Sequence, residues 1–297
     1  MKLVSYNTGS EIRAGVLVEE VVYDLQKAAQ GSSWLGTGQI TTVKKFIEDF
    51  GKKLSVVSAN IEQSIAQNPD SKVGPVGQVT LAAPLAEPSK VLCIGLNYKD
   101  HVAETGRSLP EYPDVFAKFA STLIGPSQDI GGADVSDNLD FEGELAVIIG
   151  QTASKVTDAD ALNYVAGYSI LNDITARNLQ YRGTQWLAGK AVDRSTPWGP
   201  SIVTADEVGD PQTLELVTRV NTNEMQRSNT KHQIFPVAQI ISYLSGFLTL
   251  SPGDIIATGT PQGIGAKRTP PVWLNPGDVV EIEIDRIGLL RNTVAKG

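Results

Sequence analysis

Apolar residues follow two different spacings along this chain. Between Thr41 and Gln67, Val43, Phe46, Ile47, Leu54, Val57, Ile61 and Ile65 recur at helical intervals, predicting a helix that breaks near Gly51. Short β-branched runs at residues 2–6, 14–18 and 21–25 predict strands ahead of it. From Lys90 onward strands dominate, at residues 91–94, 144–149, 165–171, 214–220, 254–257 and 278–284. Helical patches at 159–163, 174–181 and 236–244 do not alternate with these strands, so a doubly wound parallel sheet is not expected. Gly74-Pro75-Val76-Gly77 and the prolines Pro84 and Pro88 punctuate the chain. They divide it into a small N-terminal α/β domain (1–78), a connector (79–89) and a β-rich domain (90–297).

One strand carries charge at the head of an apolar run: Asp140-Phe141-Glu142-Gly143-Glu144-Leu145-Ala146-Val147-Ile148-Ile149-Gly150. Side chains at i and i+2 of a strand share a face, so Glu142 and Glu144 project together. Gly143 leaves the opposite face bare, as happens where another backbone packs close. Two like charges beside a core repel, and a hard divalent ion with oxygen ligands neutralises both. The run 164–171 ends in Asn172-Asp173, which puts Asp173 at a strand end where it can complete a three-carboxylate site for one Mg²⁺ or Mn²⁺. The same spacing fits a solvated strand face with Asp173 capping the next helix; spacing alone leaves both open.

Three acids and a divalent ion leave a site near −1, so an anionic substrate needs nearby cations. Arg177 falls one helical turn after Asp173, Gln180 follows at i+7, and Lys118 and Lys190 sit among apolar or small residues. Arg suits bidentate carboxylate capture, and Lys polarises a carbonyl or enolate. His101 has Glu104 at i+3, so the imidazole can be oriented if the segment is helical. Thr258-Gly259-Thr260-Pro261 is a tight turn after a strand, with N–H groups and a hydroxyl that could bind a carboxylate. Each of these also fits a bland role, as a solvated helix face, a loop histidine or a simple turn.

Five blocks stand in order: Gly95-Leu96-Asn97-Tyr98-Lys99-Asp100-His101; Asp140 to Leu145; Asn172-Asp173-Ile174-Thr175-Ala176-Arg177-Asn178-Leu179-Gln180; Gly189-Lys190; and Pro252-Gly253-Asp254 through Thr258-Gly259-Thr260-Pro261. Together they resemble the fumarylacetoacetate hydrolase superfamily over residues 90–292. The resemblance implies an α+β fold, a mixed β-sandwich roll with the active site in its mouth, and usually a homodimer. It implies Glu142, Glu144 and Asp173 as metal ligands, with Arg177, Gln180, Lys190 and Thr260 toward substrate. Lys118 would join them, although Phe119 stands where relatives commonly carry proline. His101 and Glu104 would form an acid/base pair on a lid that includes residues 106–113, and His232 would be structural. Arg194 and Trp198 depart from the usual Phe-Asp-Thr-type run, which bears on substrate size and charge.

A net charge of −8 over 297 residues, with no Lys/Arg run, argues against nucleic acid. No apolar run approaches the ~20 residues of a membrane span, and the start lacks a signal-peptide core, so a cytoplasmic enzyme is expected. The single Cys93, in an apolar run, reads as a core thiol. The expected reaction is metal-dependent hydrolysis of a C–C bond in a 2,4-dioxo acid such as an acylpyruvate. Lys190 would stabilise the enolate, and His101 would deprotonate the attacking water. An oxaloacetate-type decarboxylase or a 2-hydroxyhepta-2,4-diene-1,7-dioate isomerase would use the same half-site. A non-catalytic β-rich binding protein is the competing class; the presence of His101 and Lys190 weighs against it.

Overall fold

The strand Gly143–Ile149 is buried along its whole length and feeds two cores. Leu145, Val147 and Ile149 join one apolar cluster, while Ala146 and Ile148 join another, as the two-residue period of a strand requires. In this computed structural model, which describes residues 1–35, 38–126 and 128–296, that strand lies near the middle of a large mixed sheet. The sheet runs from Lys72–Pro75 through Val21–Asp24, Ile12–Val18 and Lys2–Asn7 to Thr196–Thr204. It continues through Val165–Asn172, Gly143–Ile149, Ile255–Ala257 and Val91–Gly95 to Asp114–Lys118. Ile255–Ala257 and Val91–Gly95 pair in parallel; the neighbours Gly143–Ile149 and Val165–Asn172 pair antiparallel. The fold is α+β, and among the described residues no helix is long and apolar enough to cross a membrane.

Two helices, Val43–Phe50 and Leu54–Gln67, cover one face and are separated by a single 3₁₀ turn, Gly51–Lys53. Packing requires glycine at this turn: a Cβ on Gly51 would lie 1.9 Å from the carbonyl oxygen of Gly150. Phe46, Ile47, Val57 and Ile61 share a core with Ala146, Ile148, Trp198 and Ile202. Residues 1–78 therefore share both sheet and core with the rest of the chain.

Four strands, Asn223–Asn229, Glu215–Val220, Val279–Ile284 and Gly288–Thr293, form a second sheet against the other face. Gly143 is what lets it approach: a Cβ there would lie 2.3 Å from Thr218 Oγ1 and 3.2 Å from Ile282 Cγ2.

Two local expectations change. The helix expected over residues 174–181 is only Arg177–Gln180, because Thr175–Ala176 pairs as a strand with Leu139–Asp140. Thr196–Thr204, which sequence pattern does not mark as a strand, joins the N-terminal strands to the centre of the sheet. Its Gly199 and Pro200 sit beside an irregularity in the ladder between Tyr168 and Ile170, where a missing N–H does least harm.

Candidate metal centre and active site

The antiparallel ladder assembles the acids. Gly143 pairs with Asn172 and Glu144 with Leu171, so the head of one strand meets the end of its neighbour. Asp173 N–H donates to the Glu142 carbonyl at 2.9 Å, and Asn172 Oδ1 accepts from Glu142 N–H at 3.0 Å. Glu142, Glu144 and Asp173 are all buried, and each offers a carboxylate oxygen within 4.8 Å of the others.

Buried cations hold this cluster. Lys190 Nζ donates to Glu142 Oε2 at 2.7 Å and to Asp173 Oδ2 at 2.6 Å. Lys118 Nζ donates to Asp173 Oδ1 at 2.8 Å and to the Ile174 carbonyl at 3.0 Å. Arg177 uses all three nitrogens: Nε to Asp140 Oδ2 at 2.9 Å, Nη1 to Gln180 Oε1 at 2.9 Å, and Nη2 to Glu142 Oε1. Four buried carboxylates (with Asp140) thus face three buried cations. The excess negative charge falls on Glu144, which has no ion pair among the described residues and accepts one N–H, from Gly259 at 2.7 Å.

Burial raises the Glu142 carboxyl pKa, but Lys190 and Arg177 outweigh burial and hold it well below the usual range. Glu144 is pushed well above that range by burial, reinforced by Asp173 and Glu142. Burial lowers the Lys190 ammonium, yet Asp173 and Glu142 more than restore its charge. Three buried oxygen donors, one lacking any cationic partner, are what a hard divalent ion requires. The donor set fits Mg²⁺ or Mn²⁺.

A cavity of about 310 Å³ opens beside the cluster. Its wall includes the three acids together with His101, Arg177, Gln180, Lys190 and Thr260. His101 and Glu104 do lie on a helix, Lys99–Thr105, and Nδ1 stands 2.7 Å from Glu104 Oε1. Glu104 lies behind His101, its Oε2 accepting Gly263 N–H at 3.0 Å. Lys118, expected toward substrate, is directed instead at Asp173 and is not among the lining residues. At the turn, Gly259 N–H goes to Glu144, and the Thr260 hydroxyl donates to the Gly143 carbonyl while accepting from Gln226. His232 is exposed and lies outside the cavity. Trp198 is wholly buried in the core and Arg194 is exposed; neither lines the cavity.

Sequence reading missed Asp140, Trp186, Lys267 and Trp273. Asp140 accepts Gly265 N–H at 2.7 Å and Ala266 N–H at 3.0 Å while gripping Arg177, so it pins the 264–267 wall to the cluster. Only its place two residues before Glu142 hinted at a role.

The family model described as the fumarylacetoacetate (FAA) hydrolase C-terminal domain matches residues 90–295. The chain belongs to the fumarylacetoacetate hydrolase family. It is 42% identical over 255 residues to the Bos taurus protein named oxaloacetate tautomerase FAHD2A, mitochondrial, covering 85% of this chain and 79% of that one. The solved fumarylacetoacetate hydrolase from Exiguobacterium antarcticum superposes with a TM-score of 0.83 at 36% identity, over 99% of both chains. Maleylpyruvate hydrolase from Sphingobium sp. SYK-6, solved with manganese (II) ion and pyruvate, gives 0.76 at 30% identity over 100% of both. The fumarylacetoacetate hydrolase fold thus extends over the N-terminal residues as well as the matched domain.

Proposed function

We propose that this protein interconverts the keto and enol forms of a 2-oxo dicarboxylate of the oxaloacetate type. The observation that carries the reading is His101, paired with Glu104 behind it and set in the wall of the cavity that also holds the three-acid cluster. In this reading Nδ1 of His101 donates to the Glu104 carboxylate, which leaves Nε2 for the substrate. Nε2 would take a proton from C3 of the substrate and return it to the enolate oxygen, or the reverse. Glu104, fixed by Gly263, would keep the imidazole in that tautomer.

Glu142, Glu144 and Asp173 would hold Mg²⁺ or Mn²⁺, which supplies Lewis-acid stabilisation of charge on a 2-oxo group. Lys190, between Glu142 and Asp173, would add positive charge where the enolate develops. Arg177 would orient Glu142 and present Gln180, while Thr260 would shape the floor through its bond to Gly143. The similarity to a relative named oxaloacetate tautomerase supports this substrate class.

Hydrolysis of a 2,4-dioxo acid is the second reading, favoured by the likeness to maleylpyruvate hydrolase. The two differ in one atom transfer: hydrolysis needs a water delivered to C4, whereas tautomerisation needs only the proton shuttle. Decay of the enol absorbance of oxaloacetate, with Mn²⁺ and with chelator, tests the first; pyruvate release from acetylpyruvate tests the second. Metal-dependent enol decay without pyruvate is expected, and pyruvate release from acetylpyruvate with unaccelerated enol decay would reverse the order.

A further inference from the structure

Two cations in the cavity wall have no ion pair among the described residues. Arg177 and Lys190 are committed to Asp140, Glu142 and Asp173. Arg107 and Lys267 line the same cavity, and neither takes part in an ion pair among the described residues. Both are exposed whereas the acids are buried, so they stand at the open end, away from the cluster.

Their placement is built into the site. Arg107 follows Gly106, whose left-handed φ of 71° ends the helix that carries His101. Its guanidinium lies over the Trp186 ring at 5.5 Å from the centroid. Trp186 meets Phe116 edge-on at 5.5 Å, and Lys190 Nζ sits 5.0 Å from the centre of the Phe116 ring. One aromatic wall therefore leads from Lys190 in the cluster to Arg107 at the mouth. Lys267 ends the turn Gly265–Lys267, which Asp140 anchors through the N–H groups of Gly265 and Ala266.

We propose that Arg107 and Lys267 form the recognition site for the distal carboxylate of a dicarboxylate substrate, with Trp186 and Trp273 flanking its carbon chain. This rests on the reading above that the 2-oxo end binds at the three-acid cluster. Two exposed cations at an open mouth attract an anion before it is desolvated, and a guanidinium already resting over an indole loses less freedom when it forks onto a carboxylate. The site deepens the functional reading: it separates dicarboxylates from monocarboxylic 2-oxo acids of equal length.

The test compares 2-oxoglutarate with 2-oxovalerate, which differ only in a terminal carboxylate against a methyl, by calorimetric titration of the Mn²⁺-loaded protein. The unaltered protein should bind the diacid at least ~10-fold more tightly, the scale of a charge-assisted hydrogen bond. Arg107→Met and Lys267→Met should each lower that ratio roughly 3- to 10-fold, and the double variant should bring it near unity. No preference in the unaltered protein, or variants that weaken both acids equally, would overturn the site. Enol decay of oxaloacetate is followed on the same samples. A ratio that responds as stated without enol turnover removes the reaction and keeps the site; turnover with an unresponsive ratio does the opposite.

Discussion

His101 Nδ1 stands 2.7 Å from Glu104 Oε1, and the imidazole is buried in the wall that also carries Glu142, Glu144 and Asp173. That contact engages one ring nitrogen; in the proposed reaction the other transfers the proton. His101→Asn should lower tautomerisation by a factor on the order of 10²–10⁴, since it deletes the acid/base. Glu104→Gln should cost less, because it disturbs only the tautomer and the bond to Gly263. Steady-state kcat with Mn²⁺ affinity measured in parallel checks both: affinity should stay within about twofold.

Removing Glu144 should act on the metal, because this acid answers to no cation. Glu144→Gln is expected to weaken Mn²⁺ binding by at least ~10-fold, as one charged oxygen is lost from a three-carboxylate set. Calorimetric titration reads it directly, and unchanged affinity would remove Glu144 from the ligand set.

Lys190→Met separates charge balance from chemistry. Breaking a buried ion pair by removing one partner costs about 3–5 kcal/mol, and here two carboxylates lose their shared ammonium. The metal-free variant should melt well below the unaltered protein, and Mn²⁺ should raise its Tm by a larger increment. Turnover should remain low even with metal saturating, because the positive charge beside the enolate is gone. Normal kcat in the Mn²⁺-loaded variant would contradict the role given to Lys190.

Cys93 is fully buried, and burial, helped by Asp173 and Glu144, pushes its thiol pKa well above the ordinary value. The folded protein should therefore resist a disulfide thiol reagent at pH 8 and react with one equivalent after denaturation. Rapid reaction in the native state would show that the sheet opens there.

Gly51→Ala should destabilise the fold by about 1–3 kcal/mol, the usual cost of overpacking. Its Cβ would meet the Gly150 carbonyl, a backbone atom that cannot swing aside. Urea unfolding checks this. An unchanged midpoint would mean that the two covering helices shift freely on the sheet.

Much of the three-acid cluster was legible in sequence because its geometry is local. The strand period puts Glu142 and Glu144 on one face, and a strand end places Asp173, whatever the distant packing. Helix breakage near Gly51 was legible for the same reason, although the approach of the Gly150 carbonyl, which requires glycine there, was not. Thr196–Thr204 stayed hidden because Pro197, Gly199 and Pro200 erase the strand pattern, and only an irregular ladder accommodates them. Arg177 was placed correctly beside the acids on a mistaken premise: no helical turn links it to Asp173, and it reaches Glu142 across 35 positions of chain. Asp140 bonds to residues 125 and 126 positions away. Such pairings follow from topology, which local pattern does not encode.

The most direct measurement follows oxaloacetate by proton NMR in D₂O with Mg²⁺-loaded protein, reading deuterium entry at C3 and pyruvate in the same sample. The proposed reaction predicts C3 exchange well above the uncatalysed rate, abolished in His101→Asn, with no pyruvate beyond background. Exchange at the background rate, or pyruvate formed as fast as oxaloacetate is lost, would contradict it.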